Sequence, residues 1–97
     1  MIVGAARVVL HLPESHSLKE KRHVVKSILA RLHNQFNVSA AEIEDQDLWQ
    51  RAVLGVAVAT NDSRHANEVL STAVDFVQRA SQGAELTDYQ IDITPIL

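Results

Sequence analysis

The sequence predicts an α+β fold with the element order β-α-β-β-α-β, and three observations support it. Two stretches carry apolar residues at helical spacing, and each begins at a capping residue. Four stretches have the composition of strands, with one before, two between and one after the helices. The length of 97 residues suits one domain with a single core, so residues 1–97 are predicted to form one domain.

The first strand is predicted over residues 2–12, and Pro13 ends it because proline has no N–H to donate. The first helix should run from Ser17, its N-cap, to about residue 34. Ser17 and Glu20 form an S-x-x-E capping box, in which Ser17 accepts the Glu20 N–H and Glu20 accepts the Ser17 N–H. Lys21 projects toward the apolar side of this helix, so we expect its stem to pack and its ammonium to stay in water.

The remaining elements follow in order. A weaker strand, expected at an edge, spans residues 36–43, and an apolar central strand spans residues 51–60. An acidic loop over residues 42–50 joins them; its four acids could serve a metal or acid–base site, but protecting the sheet edge is the favoured interpretation. We expect Trp49 in this loop to pack on a neighbouring element, whereas an exposed Trp49 would indicate a binding hot spot. The second helix should run to about residue 82 with Gly83 as C′, and the last strand spans residues 85–94.

With right-handed crossovers, this order predicts a ferredoxin-like sandwich. Its four-stranded antiparallel sheet has the order 4-1-3-2, and both helices lie on one face. The other face should be open and apolar, which indicates a partner. It should carry Val3, Ala5 and Val9, together with either Val53 and Ala57 or Leu54 and Val56. Arg7 and His11 share this face, either as solvated residues or as contacts with a partner or RNA.

The first helix carries an unusual charge. Residues 18–34 have a net charge of +4, whereas the whole chain has −3 and the remainder therefore −7. Cations in the first turns oppose the helix dipole by a few tenths of a kcal/mol each, so stability alone would place acids there. The face is either solvated and salt-bridged to the acidic remainder or a surface for anions or nucleic acid. The predicted phosphate-binding residues are Lys19, Lys21, Arg22 and Lys26, with Arg7 and Arg51 as weaker candidates.

Several function classes find no support. The chain has no cysteine, which removes disulfides, thiol nucleophiles and iron–sulfur clusters. It contains no GxGxxG, P-loop, CxxC or HExxH motif, and its five histidines lack ligand spacing, so we expect no cofactor, no metal and no enzymatic activity. We expect neither a signal peptide nor a membrane span. Strands 1 and 3 have no aromatic residue, which disfavours base stacking on the sheet.

The chain also contains SLKEKR at 17–22, VKS at 25–27, FNVS at 36–39, Glu42 and DLWQRA at 47–52. In combination these motifs resemble the YlxP-like family of small, uncharacterised bacterial proteins, over nearly the whole chain. The resemblance implies a ferredoxin-like fold, a cytoplasmic location and a gene often found near those for translation factors, including initiation factor two and a ribosome-binding factor. It names no catalytic residue.

Three hypotheses follow. The leading one is a non-enzymatic accessory factor in ribosome maturation or translation, which docks on ribosomal RNA or a ribosomal subunit through the first helix. The alternative is a protein-interaction or homodimerisation module that uses the open sheet face, with Val3, Val9 and Trp49 as contacts. A small enzyme acting on an anionic metabolite is the third, and it lacks a credible nucleophile or general base.

Overall fold

The computed structural model describes residues 1–80 and 83–97. Its elements are β1 (Ile2–His11), α1 (Leu18–Gln35), β2 (Ser39–Glu44), β3 (Arg51–Thr60), α2 (Ser63–Ala80) and β4 (Glu85–Pro95). The four strands that these residues form make one antiparallel sheet in the order β2-β3-β1-β4. This is the predicted order 4-1-3-2 read from the opposite edge, and the predicted ferredoxin-like fold is confirmed.

The core lies between the sheet and the two helices. Alternate residues of the central strands enter it, as the strand period of two requires. Leu54 and Val56 of β3 belong to this core, so Val53 and Ala57 are the pair on the open face. The helices contribute apolar residues at helical spacing, namely Val25, Ile28 and Leu32 from α1 and Ala66, Leu70, Ala73, Val74 and Val77 from α2.

The start of α1 confirms its predicted cap and corrects one detail. Ser17 is the N-cap, and its Oγ accepts the Glu20 N–H at 3.1 Å. The Glu20 carboxylate accepts the N–H of His16 at 2.5 Å and not that of Ser17. With Ser17 extended (φ −160°, ψ 162°), the donor that meets Glu20 is one residue earlier than in the predicted capping box.

The second strand begins three residues later than predicted. Phe36, expected in the strand, is the C-cap of α1, and its N–H donates to Leu32 O at 2.9 Å. Its ring packs edge-to-face on Phe76 of α2, with centroids 5.7 Å apart, so a contact between the helices holds it out of the strand. The predicted end of α2 near residue 82 lies outside the described residues. Gly83 has φ 82°, the left-handed conformation expected of a C′ glycine.

Gly4 permits close approach of α2 to the sheet. A Cβ at this position would lie 2.8 Å from Leu70 Cδ1 and 3.3 Å from Ala66 Cβ. Both neighbours are fully buried on α2, so a larger residue would have to displace packed side chains.

We therefore expect Gly4→Val to lower the free energy of unfolding by about 1–3 kcal/mol through overpacking. Urea denaturation measures the change. Ala5→Val is the matched control, because Ala5 is exposed on the other face of the same strand and its change should stay within about 0.5 kcal/mol. Equal losses in the two variants would contradict the close approach at Gly4.

Candidate nucleic-acid interface

Four basic side chains of α1 lie together on its solvent-facing side. Lys19, Arg22, His23 and Lys26 line one shallow hollow of about 300 Å³, and all four are exposed. Their spacing of i, i+3, i+4 and i+7 makes them neighbours on one face of the helix. We call these four residues the basic cluster. The sequence predicted Lys19, Arg22 and Lys26 as phosphate-binding residues but missed His23, which its position four residues after Lys19 could have revealed.

Unlike most other cations of the chain, the cations of the cluster have no ionic partner among the residues that the structure describes. Within residues 1–80 and 83–97, side-chain ion pairs join Arg7 to Glu44, Lys21 to Glu42, Arg51 to Asp45 and Arg79 to Asp75. The side chains of Lys19, Arg22 and Lys26 take part in none of these pairs. The interpretation of a basic face salt-bridged to the acidic remainder therefore does not describe these three residues.

The position of the Lys21 side chain differs from the prediction. Its side chain is fully buried, with Nζ 2.8 Å from Glu42 Oε2 and 2.5 Å from the backbone oxygen of Asp45. The expectation of an ammonium in water is wrong, because the β2–β3 hairpin supplies a carboxylate and a carbonyl to receive it. The contact with Glu42 Oε2 has the distance of an ion pair without hydrogen-bond geometry, so charge holds the pair together. A buried ammonium cannot contact phosphate, and Lys21 leaves the predicted phosphate-binding set.

Arg7 and Arg51, the weaker phosphate candidates, are neutralised by acids of the hairpin. Arg7 Nε lies 2.5 Å from Glu44 Oε2, and Arg51 Nε lies 2.8 Å from Asp45 Oδ2. The hydrogen bond from Arg7 holds the pKa of Glu44 below its usual value, and the same bond raises the pKa of Arg7. Arg7 stands opposite Gly55 and Glu44 opposite Val53, so this pair crosses β3 on the open face.

The open sheet face is less apolar than predicted. Val9 and Val53 lie on it but are buried, at 7% and 0% exposure, where the Arg7–Glu44 pair crosses the sheet. The prediction of Val9 as a partner contact is therefore wrong, because little of its surface is accessible. Val3 is partly exposed. The other half of the face forms a hollow of about 420 Å³, lined largely by small residues and by Ile43, which is 47% exposed.

Trp49 lies in the turn between β2 and β3 and is 55% exposed, so the expectation that its ring packs on a neighbour is wrong. It lines a hollow of about 520 Å³ with His11, Leu48 and Arg51 among other residues. The next residue anchors the turn, since the Gln50 side-chain amide donates to Pro13 O at 3.3 Å and Ser15 O at 3.2 Å. The alternative expectation, that an exposed Trp49 indicates a binding hot spot, stays a prediction.

The acids of the hairpin do not converge on a metal site. Glu42, Glu44 and Asp45 each face a different cation. In the described part of the chain, no three side chains of histidine, aspartate or glutamate are grouped to hold a metal ion. None of the described helices has the length and apolar character needed to cross a membrane.

Comparison with known proteins gives a family and a fold. Residues 3–91 match the family described as "Protein of unknown function (DUF503)". The chain is 38% identical over 76 residues to a Bacillus subtilis protein described as "Uncharacterized protein YlxP", and the match covers 78% of this chain and 83% of that one. It also resembles the crystal structure of a dimeric ferredoxin-like protein from an uncultured marine organism, with a TM-score of 0.51 and 9% identity over 100% of this chain and 99% of that chain. At that identity the likeness concerns the fold alone.

We expect Lys21→Met to lower the free energy of unfolding by about 3 kcal/mol, since it leaves the Glu42 carboxylate without its buried counter-charge. The value is at the low end for a broken buried pair because Glu42 retains 15% exposure. Urea denaturation measures it. The double variant Lys21→Met with Glu42→Leu should recover much of the loss, because two apolar residues need no counter-charge. Lys19→Met should change stability by less than about 0.5 kcal/mol. A double variant as unstable as the single one would contradict this account of the pair.

The Arg7–Glu44 pair predicts a pH dependence of stability. Because the folded-state pKa of Glu44 is lowered, the pair stabilises the fold above the unfolded-state pKa of about 4.3 and ceases to do so as pH falls through the folded-state value. Glu44→Gln should therefore be less stable than the wild type at about pH 7 and equally stable at about pH 2. Urea denaturation at both pH values tests this, with Glu14→Gln, at an exposed glutamate outside the ion pairs above, as control. A difference that persists in acid would rule out the pair as its cause.

Proposed function

We propose that this chain, which belongs to the DUF503 family of proteins of unknown function, is a non-enzymatic cytoplasmic accessory factor that binds ribosomal RNA or a ribosomal particle through the basic cluster. The observation that carries the proposal is the distribution of ion pairs. Lys19, Arg22 and Lys26 have no ionic partner in the described chain, and they share one exposed hollow.

A phosphate ligand would remove the unfavourable electrostatics of this cluster. Like charges three and four residues apart repel each other on a helix surface. Lys19 and Arg22 also lie in the first turns of α1, where the helix dipole disfavours positive charge. Phosphate oxygens reverse both effects, because they attract the cations and favour a helix N-terminus. The acidic remainder, with a net charge of −7, repels a polyanion elsewhere and so restricts contact to this side.

The number of cations sets the expected salt dependence. Each phosphate neutralised on a duplex contributes about 0.9 to the slope of log affinity against log salt, so three contacts give a slope of about −2.7. Affinity should then fall roughly 40-fold between about 50 and 200 mM salt.

The second candidate function is self-association or protein binding through the open sheet face. Its support is the exposure of Ile43 and Trp49, at 47% and 55%. The solved structure that shares the fold is described as dimeric, which is a statement about that protein. Contacts of this kind bury apolar surface, so they should persist at high salt, unlike binding by the basic cluster.

We expect the double variant Arg22→Ala with Lys26→Ala to bind purified ribosomal RNA more weakly than the wild type. Its salt slope should be smaller by about 1.8, corresponding to two lost phosphate contacts. Fluorescence anisotropy over a salt series measures both quantities. In a sucrose gradient of bacterial lysate, the wild type should migrate with a ribosomal subunit at low salt and the variant should remain at the top.

The matched control is Arg64→Ala with Arg79→Ala, which removes the same charge from exposed positions of α2. It should bind RNA with nearly wild-type affinity and slope. Equal weakening in both variants would attribute binding to overall charge and not to the cluster. Wild-type affinity in the α1 variant would reject the assignment, and a salt-insensitive dimer of the pure protein would then favour the second candidate.

A further inference from the structure

We propose that the basic cluster binds a double-stranded segment of RNA through its backbone phosphates and makes no contact with bases. The inference rests on the proposed function, because it names the kind of RNA that the same site takes. Three features carry it: the positions of the aromatic side chains, the length of the cluster and the shape of the surface around it.

The four Phe, Trp and Tyr residues of the sequence all lie outside the lining of the basic cluster. Phe36 and Phe76 pack on each other, and Trp49 lines a separate hollow with His11. Tyr89 belongs to β4, the edge strand farthest from β2, whereas α1 packs beside β2. Proteins that bind single strands stack bases on aromatic side chains, at about 1–3 kcal/mol per base. The lining of the cluster holds no Phe, Tyr or Trp, and its one ring is the imidazole of His23, so a strand with several unstacked bases would find a single ring to stack on.

The length of the cluster favours a target with dense charge. Lys19 and Lys26 are seven residues apart on one helix, which corresponds to about 10 Å along its axis. Over that length the two strands of a duplex together present about twice as many phosphate charges as one strand alone. Because the whole chain has a net charge of −3 and the cluster has three cations, the other residues sum to −6 and repel the same ligand, so the attraction at the cluster has to exceed that repulsion.

The shape of the hollow at the basic cluster suits the phosphate backbone of RNA. The hollow is shallow, at about 300 Å³, and long charged side chains line it, so it has no apolar slot for a base. The cations stand on the outer side of a capped helix, which fixes their spacing. The major groove of an A-form duplex is too deep and narrow for side chains to read its bases, so proteins recognise such duplexes by shape and backbone. A rigid helix face bearing cations suits this mode and gives no means of reading sequence.

Anisotropy titrations with a labelled RNA duplex of about 20 base pairs and with each of its separate strands test the inference. The strands should have sequences that do not fold on themselves. We expect the duplex to bind at least about tenfold more tightly than either strand at about 50 mM salt. A second duplex of equal length and unrelated sequence should bind within about twofold of the first, because phosphates carry no sequence information. The Arg22→Ala, Lys26→Ala variant should lose affinity for both duplexes equally.

The outcomes separate the inference from the function on which it rests. If a single strand binds as tightly as the duplex and the α1 variant loses that binding, the RNA-binding function stands and the duplex inference is wrong. A tenfold difference between the two duplex sequences would likewise overturn it, since base contacts would then be required. If neither probe binds at low salt, or if the α1 variant binds like the wild type, the proposed function fails as well.

Discussion

The buried ammonium of Lys21 sets the orientation of the first helix and, through it, of the surface that faces solvent. Its Nζ contacts Glu42 Oε2 and Asp45 O on the β2–β3 hairpin, so the side of the helix that carries Lys21 faces the hairpin. At 100° per residue, Arg22 then lies about 100° away from the hairpin, and Lys19 and Lys26 lie about 140–160° away. One cation buried against the sheet thus fixes three others in water. A buried pair of this kind need not stabilise the fold relative to apolar residues, and its clearer consequence here is a defined geometry.

The hairpin also divides the cations of the chain into those that its acids neutralise and those that they do not. Glu42, Glu44 and Asp45 each neutralise one cation, namely Lys21, Arg7 and Arg51. A register shift in β2 between Glu42 and Glu44 makes this possible, because it directs Glu42 toward α1 while Glu44 reaches across the open face to Arg7. The acids that lower the net charge of the chain are therefore occupied at the sheet. Among the described residues, none of these three acids forms an ion pair with a side chain of the basic cluster.

The sequence predicted the parts of the structure that depend on local pattern. The cap at Ser17, the apolar faces of both helices and the central position of strands 1 and 3 follow from spacing within short stretches. The errors concern contacts between distant residues. Phe36 lies outside the strand, and its ring packs on Phe76. The Lys21 ammonium is buried against Glu42. Val9 is buried where the Arg7–Glu44 ion pair crosses the sheet. Periodicity assigns a residue to a face, but it cannot say which side chain from another element will cover that face. Trp49 lies in a turn, where no periodic pattern distinguishes a packed ring from an exposed one.

Because sequence patterns do not identify contacts between distant residues, only part of the candidate site could be predicted from the sequence. Net charge along α1 located the cluster, but only the partners of the other cations revealed which charges remain available. Under the proposed function, that distinction is the physical basis of selectivity. A chain with an isoelectric point near 5.9 repels nucleic acid over most of its surface, so a polyanion can approach only where cations lack internal partners. Burying Lys21 and pairing Arg7 and Arg51 neutralises three of the cations outside the cluster. The cations of the basic cluster then provide an attraction that is local and oriented.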